Sequence, residues 1–298
     1  LFFSNSSRDW RRGSAYTPDI LGISQLLNLE QVPHIFINEV GLNYENLKDY
    51  NVLFVCNAMS LSEEHADVIR EFASAGGTVY LSNRVGAANE NGDQREQWIF
   101  AEDFKLTRID RSIRVAKVFG GEGLEEAFEP ETVMNAVRCT LAEDSQAKVT
   151  WEYENQAAMR FPALYELPYG KGKMIYTPLQ FGAPVEAKEV RTLAEFSFEV
   201  KPIAEKLGLR VLQDVVKEED RLWEPINMPE DILTNLHVDN GELTIHFLNA
   251  TGSKMKKGEI VPVRSPEVAF PAIKEDLKFI VKMPTLKRAY AVSPDFEG

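Results

Sequence analysis

Cysteine is nearly absent. Two in 298 residues, Cys56 and Cys139, are too few for the disulfide scaffold of a small secreted domain and identify no redox compartment. Histidine is almost as scarce. The four, His34, His65, His237 and His246, have neither the i, i+4 helical spacing of a zinc protease nor the paired cysteines of a structural zinc site. His237 and His246 fall in adjacent expected strands and could meet across a hairpin, which reads as packing or surface rather than ligation. No run approaches the about 18 apolar residues of a membrane-spanning helix, and the first residues lack a basic segment followed by an apolar signal core. A soluble chain of unknown compartment, without membrane contact, is therefore expected.

Positive charge is also in short supply. Lys and Arg number 33 against 46 Asp and Glu, a formal charge of -13, which argues against a protein built to grip nucleic acid. Phosphate-binding glycine motifs are missing too. FGGEGLEE and PYGKGKM lack the G-x-G-x-x-G spacing between strand and helix and the lysine-hydroxyl ending of a phosphate loop, so no cofactor is expected.

The segment from Tyr50 to Asn83 is the most ordered part of the sequence. Val52–Cys56 is a short apolar run suited to a strand buried on both faces. Ser62 precedes Glu63 and Glu64, a cap and two acids placed for a helix N-terminus. Ala66, Ile69, Phe72 and Ala73 then recur at helical spacing, Gly76 and Gly77 end the helix, and Thr78–Leu81 returns as a strand. Around this unit Leu1–Ser4 reads as a first strand and Ser4–Pro18 as a polar loop. Ile20–Glu30 reads as a helix and His34–Ile37 as a second strand. The alternation implies a parallel α/β sheet.

Beyond Arg84 the pattern loosens. VGAANENGDQREQW reads as a loop over the carboxyl ends of the strands, where open α/β sheets place ligands. Lys105–Phe119 reads as an extended insertion and Pro130–Leu141 as helical, through Val133, Val137 and Leu141. Val149–Glu152, Ala163–Leu167 and Met174–Thr177 read as strands, the last fed by the YGKG turn. Arg191–Leu207 reads as a helix that Pro202 should perturb. After Gly208 short strands and prolines take over, with a hairpin at DNGE and later strands at 259–263, 267–270, 277–281 and 289–292. The expected organisation is an α/β domain over 1–208, a connection over 209–234 and a small all-β sandwich over 235–298.

Nucleophilic chemistry finds little support. Cys56 ends a strand, but NAMSLSEE is no glycine elbow and no histidine is placed to serve the thiol as base. A glycosidase needs two facing carboxylates; Asp9, Glu39, Glu90, Asp93 and Glu96 could approach the strand ends but read as surface or interface acids. SNSSRDWRR stands out more. Arg8, Arg11 and Arg12 offer forked donors, and Trp10 and Tyr16 offer flat faces, suited to a subunit interface or to a carbohydrate surface.

SNSSRDW, LKDYNVLFVCNAMSLSEEHADVIREFASAGGTVYLSN, ANENGDQRE and YGKGKMIYTP together resemble the middle, trimerisation domain of beta-galactosidases that carry a preceding TIM barrel. The resemblance runs from Leu1 to about Leu207 and implies a class I glutamine amidotransferase-like, flavodoxin-like fold. HVDNGELTIHFLNATG with VSPDFEG is similar to the small β-sandwich domains that follow such modules in related glycoside hydrolases. Because LFFSNSS already reads as a core strand, the chain is expected to be the inside of a longer polypeptide. In that family the catalytic carboxylates belong to the barrel, so the resemblance implies an accessory role: homo-oligomer contacts, trimeric or dimeric, and residues walling a neighbouring active site. The matching segments are Ser7–Trp10 and Asn89–Arg95, which makes Arg8, Asp9, Trp10, Arg11, Tyr16, Asn89, Asp93 and Arg95 the interface or sugar-facing candidates, with no catalytic residue expected. The amidotransferase relatives require a cysteine after the Gly-Gly strand, where this chain reads LSNRV, so glutamine hydrolysis is not expected. Two alternatives stand beside this reading: a carbohydrate-binding module using Trp10 and Trp223, and an autonomous hydrolase using Ser82 or a carboxylate pair.

Overall fold

The computed structural model describes residues 1–10, 16–120, 127–130, 134–182, 202–229, 232–239, 242–249, 276–283 and 287–290. Strand β1 (Phe2–Phe3) leads into helix α1 (Asn5–Trp10), so residues 5–10 are helical and not the expected loop. Local hydrogen bonds explain the difference. Ser4 Oγ accepts from Ser7 N at 3.0 Å, and the Glu39 carboxylate accepts from Ser6 N at 2.9 Å and Asn5 Nδ2 at 3.0 Å. Two of the free amides of the first turn, those of Ser6 and Ser7, are thereby satisfied. Helix α2 (Tyr16–Leu29) follows, then a short β2 (Ile37–Asn38) parallel to β1, and α3 (Tyr44–Leu47).

The Tyr50–Asn83 unit forms as its sequence implies. Strand β3 (Val52–Cys56), helix α4 (Glu63–Ala75) and strand β4 (Thr78–Ser82) follow in order, with Ser62 Oγ accepting from His65 N and Gly76 closing the helix at φ 130°. The strands pair in parallel with Cys56 opposite Ser82. Their alternation sends side chains to two covered faces. Phe54, Cys56, Tyr80 and Ser82 share the α2 face, where Ser82 bonds Asp19, and Leu53, Val55, Val79 and Leu81 take the other, under α4.

After helix α5 (Ala101–Phe104) the expected insertion, 106–119, is a long strand of the same sheet, β5 (Leu106–Phe119), bulged between Ile109 and Ser112. Its partner is β6 (Met134–Leu141), where a helix is expected from the four-residue spacing of Val133, Val137 and Leu141. Met134, Ala136 and Cys139 are buried while Asn135, Arg138 and Thr140 are exposed, the near-alternation of a strand. Cys139 is thus a strand residue. Strands β7 (Lys148–Asn155), β8 (Arg160–Tyr169) and β9 (Gly172–Thr177) complete the sheet in the order β3-β4-β9-β8-β7-β5-β6. Only β3, β4 and β9 run parallel; the other pairings are antiparallel, with short hairpins joining β7 to β8 and β8 to β9. The class is α/β, with a mixed sheet flanked by helices.

Helix α6 (Pro202–Val215) has the proline expected to perturb it as its first described residue. The expected helical residues 191–201 lie outside the described set. Leu207, Val211, Leu212, Val215 and Val216 belong to the α/β core, so the compositional change after Gly208 falls within α6. Small antiparallel sheets follow: β10 (Trp223–Pro225) with β13 (Phe279–Val281), and the DNGE hairpin of β11 (Ile232–Asp239) with β12 (Glu242–Asn249). These agree with a small β-sandwich. The expected strands at 259–263 and 267–270 lie outside the described residues; of 289–292, Ala289 and Tyr290 are described and are not strand. Gln31, just past α2, ties the two parts, donating to Ile232 O at 2.9 Å and accepting through its own carbonyl from Trp223 Nε1 at 3.0 Å.

Candidate functional site

Beyond the carboxyl ends of β3 and β4 the chain does not break into free loops. The segments 57–61 and 85–88 continue side by side, with Gly86 N bonding Ala58 O at 2.8 Å, Ala88 N bonding Met59 O at 2.8 Å and Leu61 N bonding Ala88 O at 3.0 Å. Helix α1 docks on this extension. Ser7 Oγ accepts from Ser60 N at 2.9 Å, and Ser4, Ser7 and Ser60 are all buried. The backbone of the strand-end surface is therefore held by hydrogen bonds, while Ser60 Oγ and Arg95 Nε are buried without a partner among the described residues.

The two segments selected from the sequence meet here. Trp10, 62% exposed, lies against Gly92, so close that a Cβ built on Gly92 would stand 2.9 Å from Trp10 Cβ. Gly92 has φ 85°, a conformation glycine adopts without a side-chain penalty. Arg8 Nε donates to Asp9 Oδ1 at 2.9 Å, and the guanidinium lies 5.8 Å from the Phe3 ring centre. Asn89 and Asp93 shape the turn themselves: Asn89 Oδ1 accepts from Asn91 N and Asp93 N, and Asn89 Nδ2 donates to Asp93 Oδ2 at 3.1 Å. Arg95 straps the loop to α4, donating to Glu63 Oε1 at 2.6 Å and Leu61 O at 2.9 Å. Tyr16 is not at the surface. It is buried, with its hydroxyl accepting from Ser4 N, and burial raises its pKa. Arg11 lies outside the described residues.

Sequence reasoning placed this loop over the strand ends and chose Arg95 from it but passed over Trp98. Trp98 anchors it, donating to Val85 O at 2.7 Å, with Tyr176 at 4.5 Å between ring centres and the Arg108 guanidinium 5.1 Å above the indole. A 410 Å³ depression with Glu63, Glu96 and Glu102 in its wall lies beside the loop, and a 140 Å³ one touches Arg95 and Arg108. The signal available in the sequence was Trp98 itself, a large apolar residue closing an otherwise polar run.

The positions that would carry nucleophilic chemistry are packed away. Cys56 is wholly buried, and burial, with the Asp19 charge a lesser cause, holds its thiol well above the ordinary pKa. Ser82 is also wholly buried; its Oγ accepts from Asn57 N at 2.9 Å and donates to Asp19 Oδ2 at 2.9 Å. Asn83, φ 47°, bonds Pro178 O through Nδ2 at 2.7 Å. Trp223, considered above for sugar stacking, is 1% exposed and cannot stack on a ligand. Among the described residues no group of three or more His, Cys, Asp or Glu is arranged to hold a metal ion.

A mixed α/β sheet flanked by helices and followed by small antiparallel β-sheets places the chain in the α/β class. The family model described as "Beta-galactosidase trimerisation domain" matches residues 36–196, more than half of the chain, and the chain belongs to that family. Among solved structures it is similar to beta-galactosidase from Bacillus circulans sp. alkalophilus, with TM-score 0.59 and 15% identity over 78% of this chain and 31% of that one. Alpha-L-fucosidase isoenzyme 2 from Paenibacillus thiaminolyticus is similar too, with TM-score 0.55 and 16% identity over 78% of this chain and 34% of that one. Among curated proteins, gamma-glutamyl phosphate reductase from Vibrio vulnificus (strain YJ016) is 26% identical over 158 residues, 50% of this chain and 37% of the reductase. The chain thus spans about a third of each of these proteins. Among the described residues no helix is long and apolar enough to cross a membrane.

Proposed function

We propose that this chain is the assembly-forming, accessory part of a beta-galactosidase-like glycoside hydrolase whose catalytic TIM barrel lies upstream. Its copies meet through the strand-end surface of the α/β domain, as a trimer or dimer, with Arg8, Asp9, Trp10, Arg11, Asn89, Asp93 and Arg95 at or beside the contact. The observation that carries this reading is Trp10, an indole left 62% exposed on a surface whose backbone is otherwise hydrogen-bonded shut. A large aromatic held on a rigid support is the usual centre of a protein contact. A closed three-fold assembly also needs two different patches on each copy, and α1 with the Asn89–Arg95 turn supplies one. Light scattering of the chain at tens of micromolar should give an oligomer mass, and Trp10→Ala should lower it; a monomer at high micromolar concentration would sink the reading.

A second reading rests on the same residue. Of the four tryptophans, Trp98, Trp151 and Trp223 are buried and Trp10 is exposed, so Trp10 alone is open to stack on a sugar ring. Titration with galactosides or acidic polysaccharides, read by tryptophan fluorescence, separates the two: a saturable change absent from Trp10→Ala favours a carbohydrate surface, and no change leaves the assembly reading.

A further inference from the structure

We propose that His237 and His246 form a two-imidazole site for a divalent transition ion of the Zn²⁺, Ni²⁺ and Cu²⁺ group on the open face of the β11–β12 hairpin. The register pairs His237 with Thr244 and Asn235 with His246, so the two histidines are diagonal neighbours on one face. The other face is partly covered, although Val238 and Phe247 on it remain exposed. Phe247, opposite Thr234, lies 6.0 Å from Trp223 and 5.3 Å from Phe279 between ring centres, which turns that face toward β10 and β13. His237 and His246 are both exposed on the side left open. Eight paired positions, from Ile232–Asn249 to Asp239–Glu242, hold the two strands in this register.

The separation of the two rings is within reach of a chelate. The centres are 5.6 Å apart with the planes at 87°. Two imidazoles bound to one ion at about 2.0–2.1 Å per bond, with a tetrahedral angle, place their centres about 5 Å apart. Small side-chain rotations of two exposed rings cover the difference. The other histidines are committed elsewhere: His34 contacts Ser24 Oγ at 2.7 Å and Val32 O at 3.0 Å, and His65 contacts Ser62 Oγ at 2.8 Å and Glu39 O at 3.1 Å. Among the described residues neither His237 nor His246 has a hydrogen-bond partner on its ring. Imidazole nitrogen suits Zn²⁺, Ni²⁺ and Cu²⁺, water fills the remaining positions, and a formal charge of -13 favours a cation near the surface.

The experiment uses the chain without a polyhistidine tag, the variants His237→Gln and His246→Gln, and the double variant, titrated calorimetrically with Zn²⁺, Ni²⁺ and Cu²⁺ at pH 7.5. One equivalent should bind, each single variant should weaken it at least tenfold, and the double variant, with no imidazole left at the site, should bind at least as weakly as either single one. Both positions are exposed, and circular dichroism checks that each variant remains folded. In the unmutated chain, nuclear magnetic resonance should show both imidazoles shifting together and saturating at one equivalent of Zn²⁺. Wild-type affinity in either single variant, or two rings titrating independently, overturns the site.

Discussion

Ser82 Oγ donates to the Asp19 carboxylate at 2.9 Å, joining the end of β4 to the first turn of α2 at a point where both residues are cut off from solvent. The same hydroxyl accepts from Asn57 N at 2.9 Å, and the second carboxylate oxygen accepts from Gly182 N at 3.0 Å. A hydroxyl at the end of an α/β strand thus serves as a bracket for three chain segments. Ser82→Ala removes the hydroxyl that accepts from the buried Asn57 amide and the bond it donates to the Asp19 carboxylate, and should cost about 1–3 kcal/mol. The midpoint of urea unfolding measures it; an unchanged midpoint would show that the bracket contributes nothing net.

Gly92→Ala tests how Trp10 is presented. The φ of 85° strains any residue with a Cβ, and that atom would stand 2.9 Å from Trp10 Cβ. A loss of about 1–3 kcal/mol is expected from the backbone conformation, together with a shift in tryptophan emission as the exposed indole moves. A stability loss with unaltered emission would mean that the turn does not position the ring.

The Tyr50–Asn83 unit was legible because its signals are local: Ser62 caps the helix it precedes, and Gly76 ends the helix it follows. The Met134–Leu141 strand was misread because the valines and leucine chosen were four apart, while the alternation of Met134, Ala136 and Cys139 has a weaker apolar contrast. Helix α1 was read as loop because its first-turn amides are held in part by the Glu39 carboxylate, which comes from another part of the chain. The site divided in the same way. Both strand-end segments could be chosen from their composition, whereas the seat of Trp10 on Gly92 and the burial of Trp223 against Gln31 depend on contacts between distant segments, which no local pattern encodes.

Both thiols should be silent in the folded chain. Cys56 and Cys139 are buried, and burial raises the Cys56 pKa, with the nearby Asp19 charge adding to it. The thiolate is the reactive form, so an inaccessible thiol of raised pKa should not react with Ellman's reagent at pH 8. Two equivalents should appear in guanidinium chloride, matching the two cysteines of the sequence. Rapid reaction of the native chain would place at least one thiol at an opening.

Stability should depend on pH through His34. Burial lowers the pKa of its imidazole below the ordinary 6.5, and the bond to the Val32 carbonyl opposes that shift. A carbonyl can only accept, so Nδ1 carries the proton toward Val32 O and Nε2 accepts from Ser24 Oγ. The unfolded chain binds a proton near pH 6.5 while the folded chain resists it to lower pH, so the unfolded state holds more protons in that window. The contribution of His34 is therefore complete above about pH 6.5 and is lost as the pH falls toward the folded value. Urea midpoints of the wild type and His34→Gln, compared from pH 7.5 to 5.5, should show the wild-type advantage shrinking toward the acid end. An advantage constant across that range, or growing as the pH falls, would mean that His34 is not held neutral by its surroundings.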